Sequence, residues 1–236
     1  CLHLDKNKNL WMGTTSNGIY CLSEDKSLSR PVTKGNITSI YEDSSNELWI
    51  GSWEEGLYRV KTDGNIENLR HNPMNTNSLC SNFVRSCCED NSGDLWIGTF
   101  NGLNRYDRET GKFHLYTANG NSPDGLTHSS IWCIVKDGQG TIWLGDGWNI
   151  FRSADGGRTF EEMKQFGYAF MRDILEDKEG NIWVATMGNG VFRYQPQTDE
   201  TVNYLHIEGD STSIGTNEVT GISEDSKGCT LSKPLV

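Results

Sequence analysis

This 236-residue chain holds many side chains able to do chemistry, but few stand at spacings that chemistry uses. Its histidines, at positions 3, 71, 114, 128 and 206, are scattered without metal-ligand spacing. The seven cysteines (1, 21, 80, 87, 88, 133 and 229) form neither a metal motif nor an even framework, so most are expected to be small buried apolar residues. Adjacent Cys87 and Cys88 lie on opposite faces of a strand and do not bind one ion together. Carboxylates recur at turns, as Glu42–Asp43, Glu89–Asp90 and Glu176–Asp177, instead of converging as the acid/base pair a glycosidase needs. No catalytic residue, metal site or cofactor is expected. What remains is the chemistry of recognition, in three tryptophans (Trp53, Trp132, Trp148), Phe100 and two arginines (Arg85, Arg172). Aromatic plates stack on the C–H faces of sugars, and guanidinium forks bond hydroxyls or carboxylates.

The elements that must position these six residues are repeats. Asp5/Trp11, Asp43/Trp49, Asp90/Trp96, Asp137/Trp143 and Asp177/Trp183 are each six residues apart, and successive tryptophans are 38, 47, 47 and 40 residues apart. That period suits a four-stranded propeller blade and exceeds that of leucine-rich or ankyrin units. A β-rich run precedes each aspartate, and a polar turn leads into Leu–Trp–Ile–Gly or a variant of it. Asn/Gly pairs such as Asn17–Gly18, Asn101–Gly102 and Asn189–Gly190 then supply a tight loop before a third strand. Fourth strands are expected at 66–70, 113–117, 159–163 and 202–207. Trp11, Trp49, Trp96, Trp143 and Trp183 are the structural anchors, plates buried between blades, and the glycine two residues later lets sheets approach closely. The aspartate is expected to cap its own turn by accepting backbone N–H bonds.

The fold class is therefore all-β, a propeller with five complete repeats and the start of a sixth. Blades are expected at about 1–34, 35–77, 78–126, 127–167 and 168–214, with a partial copy at 215–236, forming a single propeller segment. In that sixth copy Leu231 stands where the tryptophan belongs. A repeat array needs a complete ring or caps, so the chain reads as part of a larger ring. In such a blade the start of strand one and the loop between strands two and three share one end, the top. Trp53 and Trp148 fall in those loops, with Phe100 and Met187 at the position of Trp53. Trp132 falls near a strand-one start, where the other copies hold Thr38, Arg85, Arg172 and Thr220. The Asp-to-Trp turns collect most of the acid at the bottom.

A mean hydropathy of −0.59 argues against a membrane-spanning segment. The net charge of −11 argues against a nucleic-acid partner. Asp5–Lys6–Asn7–Lys8–Asn9 lacks the glycine and terminal glutamate of a calcium loop.

The run D-x-x-G-x-L-W-I-G-T-x-x-G-L-x-R-Y-D at 90–107 and 177–194 resembles the two-component regulator propeller repeat. The segment Ser153-x-Asp155-x-Gly157-x-Thr159-Phe160 resembles the Asp-box, which in sialidases is structural. The first resemblance implies a periplasmic sensor region of a membrane-bound hybrid histidine kinase of the kind typical of gut Bacteroidetes, one that detects glycans. It implies an oligosaccharide or other small ligand, neighbouring propeller or sensor domains as partners, a dimer as one assembly, and a kinase elsewhere in the full-length protein. Two alternatives stand beside this binding module. An Asp-box glycosidase or streptogramin-lyase-like enzyme needs a carboxylate pair, a tyrosine with an arginine cluster, or a His/Glu metal site. A protein-interaction scaffold needs a large apolar patch.

Overall fold

The computed structural model describes residues 1–32, 34–116, 126–127, 130–225 and the backbone of 230–234. The chain forms two compact units, one holding the described residues of 1–116 with Ser130 and Ile131 and the other Leu126, Thr127 and Trp132 onward.

In the first unit, β1 (Leu2–Leu4), β2 (Leu10–Gly13), β3 (Ile19–Leu22) and β4 (Leu28–Val32) form the first sheet. The second is β5 (Ile37–Glu42), β6 (Leu48–Ser52), β7 (Leu57–Val60) and β8 (Ile66–Leu69); the third is β9 (Val84–Glu89), β10 (Leu95–Thr99), β11 (Gly102–Asp107) and β12 (Lys112–Tyr116). In the second unit, β13 (Cys133–Lys136), β14 (Ile142–Gly145), β15 (Ile150–Ser153) and β16 (Glu161–Glu162) form a fourth sheet. The fifth contains β17 (Phe170–Glu176), β18 (Ile182–Met187), β19 (Val191–Gln195) and β20 (Glu200–Tyr204), and the sixth pairs β21 (Val219–Glu224) with β22 (Thr230–Pro234). Each of the five complete sheets is antiparallel with its strands in chain order, the arrangement of a propeller blade.

One register repeats. Trp49 lies opposite Tyr41 and Arg59, Trp96 opposite Cys88 and Arg105, and Trp183 opposite Leu175 and Arg193. Leu231 pairs with Ser223 in the same register, so it holds the anchor position of the sixth sheet. The outer strands overlap the expected 66–70, 113–117, 159–163 and 202–207: β8 starts where expected, β12 starts one residue early, β20 starts two residues early, and the blade-four strand is cut short within its range. There β16 is two residues long, because Asp155 holds the Thr159 N–H (3.0 Å) and hydroxyl (2.7 Å) within the preceding turn.

Trp49 and Trp96 have no exposed surface, and Trp143 and Trp11 are buried. Taking about 200 Å² of indole out of water contributes roughly 5 kcal/mol before entropy is counted. Trp183 departs from the expectation and is half-buried. It stacks on Tyr204 (5.6 Å, 18°), but the sixth sheet has two strands among the described residues and covers the indole only in part. The glycines do admit a neighbouring sheet. A Cβ on Gly13 would stand 2.6 Å from Ile37, one on Gly51 3.0 Å from Val84, and one on Gly145 2.9 Å from Met171.

Each repeat aspartate does more than cap a turn. Asp5, Asp43, Asp90, Asp137 and Asp177 accept the indole N–H of the tryptophan six residues on, at 2.8, 2.6, 2.8, 2.8 and 2.6 Å. The other oxygen accepts the N–H four residues on, from Asn9, Glu47, Asp94, Thr141 and Asn181. The preceding glutamate clasps the previous blade. Glu42 accepts Lys6 N–H, Glu89 accepts Ser44 N–H and hydroxyl, Glu176 accepts Gly138 N–H, and Glu224 accepts Lys178 N–H. In blade four this position is Lys136.

These bonds set an acid limit. Burial works to raise the Asp5, Asp43 and Asp177 carboxyls, but bonds from the indole and neighbouring turn groups outweigh it and hold all three below the usual range. The Thr159 hydroxyl and N–H lead the groups that bring Asp155 down to about 2. A carboxyl depressed by folding stabilises the fold above its unfolded value, near ~4, and loses that stabilisation as pH falls through the folded value. Asp173 and Glu176, raised chiefly by burial, act oppositely and favour the fold as they protonate. Urea midpoints are therefore expected to stay level down to about pH 4 and drop between about pH 4 and pH 2. A midpoint that rises steadily down to about pH 2 would contradict this assignment.

Candidate ligand-binding site

The side chains at the starts of the first strands are aimed by a β-bulge. In β5, β9, β17 and β21 the register skips one residue, and the skipped residues are Thr38, Arg85, Arg172 and Thr220. A bulge leaves its extra residue outside the ladder and re-aims its side chain. Trp132 holds the corresponding place before β13, its N–H donating to Gly145 O at 2.8 Å.

In the first unit the structure brings together Trp53, Arg85 and Phe100. Trp53 meets Phe100 edge-on at 5.5 Å, and the Arg85 guanidinium lies 5.4 Å from the indole centroid. A fourth member, Phe83, was not anticipated; it stands 5.5 Å from Trp53 and 6.2 Å from Phe100. The Ser52 hydroxyl donates to Gly56 O (2.8 Å) and accepts the Glu55 N–H (2.9 Å), fixing the loop that carries Trp53.

The second unit repeats this constellation with Trp132, Trp148 and Arg172. Trp132 packs on Phe170 at 4.8 Å, Trp148 packs on Phe170 at 5.5 Å, and Trp148 stacks on Tyr168 at 4.9 Å with the rings 6° from parallel. The Arg172 guanidinium is 5.4 Å from the Trp132 ring and 6.0 Å from Phe170. Asp146 builds the Trp148 loop by accepting the Trp148 and Asn149 N–H groups and the Thr127 hydroxyl. Gly147, at φ 97°, leaves room for Trp132, whose indole nitrogen would stand 3.0 Å from a Cβ there. Tyr168 and Phe170 were also missed, although Phe83-x-Arg85 and Phe170-x-Arg172 are a repeated signal readable in the sequence.

The end that carries these rings is less free of acid than the sequence suggests. A cleft of about 270 Å³ beside Trp53 is lined by Thr15, Ser16, Asn36, Glu54 and Glu55. Glu55 is paired with Arg70, and Lys34 stands 3.8 Å away. Larger clefts lie among the Asp-to-Trp turns. One of about 360 Å³ is bounded by Arg152, Asp155, Glu161 and Glu176, and one of about 470 Å³ by Glu89, Asp94, Arg105 and Arg108. Their arginines are already committed, Arg105 to Asp94 (2.6 Å), Arg152 to Glu161 (3.0 Å) and Arg108 to Asp43, so these clefts are read as blade architecture. His71 and His206 are likewise structural, each ring bonding a carbonyl eight residues on, Leu79 O and Ile214 O.

The four-stranded sheets and their shared register define the class, a β-propeller. Residues 31–54, 78–101, 125–148 and 166–188 match the two-component regulator propeller, so these four segments are repeats of this kind. It is similar to the extracellular domain of the candidate one-component system BT4673 from B. thetaiotaomicron, with a TM-score of 0.82, 20% identity, and coverage of 99% of this chain and 31% of that one. The chain thus spans about a third of that relative's length. A virginiamycin B lyase from Staphylococcus aureus, solved with quinupristin, is similar at TM-score 0.72 and 15% identity, covering 99% of this chain and 83% of that one. An auxiliary nutrient binding protein from Bacteroides thetaiotaomicron is similar at TM-score 0.63 and 13% identity, covering 98% and 65%. These likenesses are of fold. No curated protein matches the chain.

Proposed function

We propose that this chain is a ligand-binding, glycan-sensing and non-catalytic propeller segment from the periplasmic sensor region of a two-component regulator. The observation that carries the reading is the recurrence of one constellation in both units: an aromatic loop residue, Phe-x-Arg at the start of the next blade's first strand, and an arginine aimed by a bulge over an indole. Rings that stay partly exposed beside a cation suit sugar hydroxyls and their acid substituents, and unlike the sealed Trp49 these rings keep surface for a ligand. Trp53, Phe100 and Arg85 form one candidate contact set, and Trp132, Trp148 and Arg172 the other. The Asp-box turn at 153–160 is structural in this reading, and the partners are further propeller or sensor domains, or a second copy. The similarity to an extracellular sensor domain and to a nutrient-binding protein supports an extracytoplasmic setting.

Calorimetry of the chain against neutral and acidic oligosaccharides tests the reading. Binding is expected, and Trp132→Ala should weaken it by about 1–2 kcal/mol, as for a contact residue at the heart of an interface. Turnover of an oligosaccharide that disappears on Glu54→Gln would overturn the non-catalytic part, and binding unchanged in both Trp132→Ala and Trp53→Ala would overturn the site.

A further inference from the structure

Both constellations bury their arginine's Nε without an acceptor among the described residues, and in the second that cation stands near a stacked, exposed pair of rings. Among the described residues Arg172 has no carboxylate partner and no hydrogen bond, and its Nε is buried without an acceptor. Burying a guanidinium nitrogen with nothing to receive its N–H is costly, so an acceptor from outside the chain, a water or a ligand oxygen, is favoured there. The Nε of Arg108 and Arg193 is buried in the same way, and what sets Arg172 apart is the exposed ring surface beside it. The acids near it are engaged elsewhere. Asp173, the next residue, gives one oxygen to Ile222 N–H (3.0 Å) and the other to Ile174 N–H (3.0 Å). Asp146 is taken up by the Trp148 loop. The repeat shows what a satisfied arginine looks like in this chain, since Arg59 has Glu47 at 2.7 Å and Arg105 has Asp94 at 2.6 Å.

Beside this cation lies a flat apolar surface. The Trp148 and Tyr168 rings are nearly parallel and remain 41% and 64% exposed, which leaves ring surface for a ligand to lie against. Phe170 connects the two features, touching Trp148 at 5.5 Å and lying 6.0 Å from the Arg172 guanidinium. A ligand that uses both must carry an oxyanion next to a ring with an apolar face.

We infer that the second unit's cluster is a carboxylate-selective subsite: Arg172 receives the carboxylate of a hexuronic-acid residue whose ring lies against the Trp148–Tyr168 platform. The inference rests on the ligand-binding reading above and narrows it to acidic sugars at one of its two clusters. A planar fork bonds a carboxylate through two parallel N–H donors, which a sugar hydroxyl cannot match.

Calorimetric titrations of the full chain with a hexuronic-acid trisaccharide, its carboxyl-reduced neutral counterpart, and acetate separate the contributions. The acidic trisaccharide is expected to bind at least about tenfold more tightly than the reduced one, the range of a hydrogen bond to a charged group. Arg172→Gln should erase that preference while leaving the weaker neutral binding in place, and Arg158→Gln, at an exposed arginine of the 153–160 turn outside both contact sets, should leave the preference intact. Circular dichroism and urea unfolding of Arg172→Gln establish that the variant is folded; if it is not, Arg172→Lys supplies the test and should retain part of the preference. Acetate competing with the acidic trisaccharide in wild type but not in Arg172→Gln supports the subsite and shows that the carboxylate alone is recognised. Equal affinity for the acidic and reduced sugars, or a preference unchanged in Arg172→Gln, would overturn the inference and leave the glycan-binding reading standing. Absence of binding by all three probes would overturn the inference, and failure of the wider oligosaccharide panel as well would overturn the reading with it.

Discussion

Replacing Trp49 by alanine is expected to destabilise the first unit by about 3–5 kcal/mol, the range for deleting a fully buried aromatic. The indole has no exposed surface, packs 5.8 Å from Tyr106, and has guanidinium groups on it from Arg59 at 5.1 Å and Arg108 at 5.5 Å. Alanine removes the plate, leaves a cavity and strips the Asp43 carboxylate of its indole donor at the same time. Trp49→Phe divides these effects, since most of the ring remains but the N–H is lost. It should cost about 1–3 kcal/mol, as for a buried acceptor left short of a partner. Urea unfolding followed by circular dichroism reads both numbers. A phenylalanine variant as stable as wild type would show that the bond from indole to aspartate adds nothing.

Asp43→Ala should be as severe, about 3–5 kcal/mol, although it deletes only a small side chain. Asp43 is 1% exposed and accepts from the Trp49 indole, from Ser45 and Glu47 N–H, and from Arg108. Without it Arg108, whose Nε already lacks an acceptor among the described residues, keeps only Glu89 at 3.7 Å. Breaking one side of a buried ion pair is costly because the remaining charge stays out of water. The double variant Asp43→Ala/Arg108→Met should accordingly recover part of the loss. If it is less stable than the sum of the two single changes, the uncompensated charge is not the cause.

How much of this was readable in advance follows from the range over which each feature acts. The aspartate and its tryptophan are six residues apart on one turn and strand, so their spacing shows in the chain itself. The blade period, the strand class and the anchor positions are local patterns of this kind, and so is the turn of 153–160 with its own serine, aspartate and threonine. The candidate rings were only partly legible. Trp53, Trp132 and Trp148 stood out as tryptophans outside the repeat, but Phe83, Phe170 and Tyr168 look like ordinary strand or loop aromatics until a neighbouring blade brings them to an indole.

The repeat is therefore written in the chain: which residues alternate into strands, which indole is an anchor and which turn holds it. The tertiary structure alone decided three further matters. It placed the one-residue register shifts that free Arg85 and Arg172 from their ladders, because a bulge is a relation between two paired strands. It set each repeat glutamate onto the turn of the preceding blade, across 36 to 46 residues of chain. It also left Trp183 half-buried where the same motif seals Trp49, because the burial of a side chain depends on what packs over it.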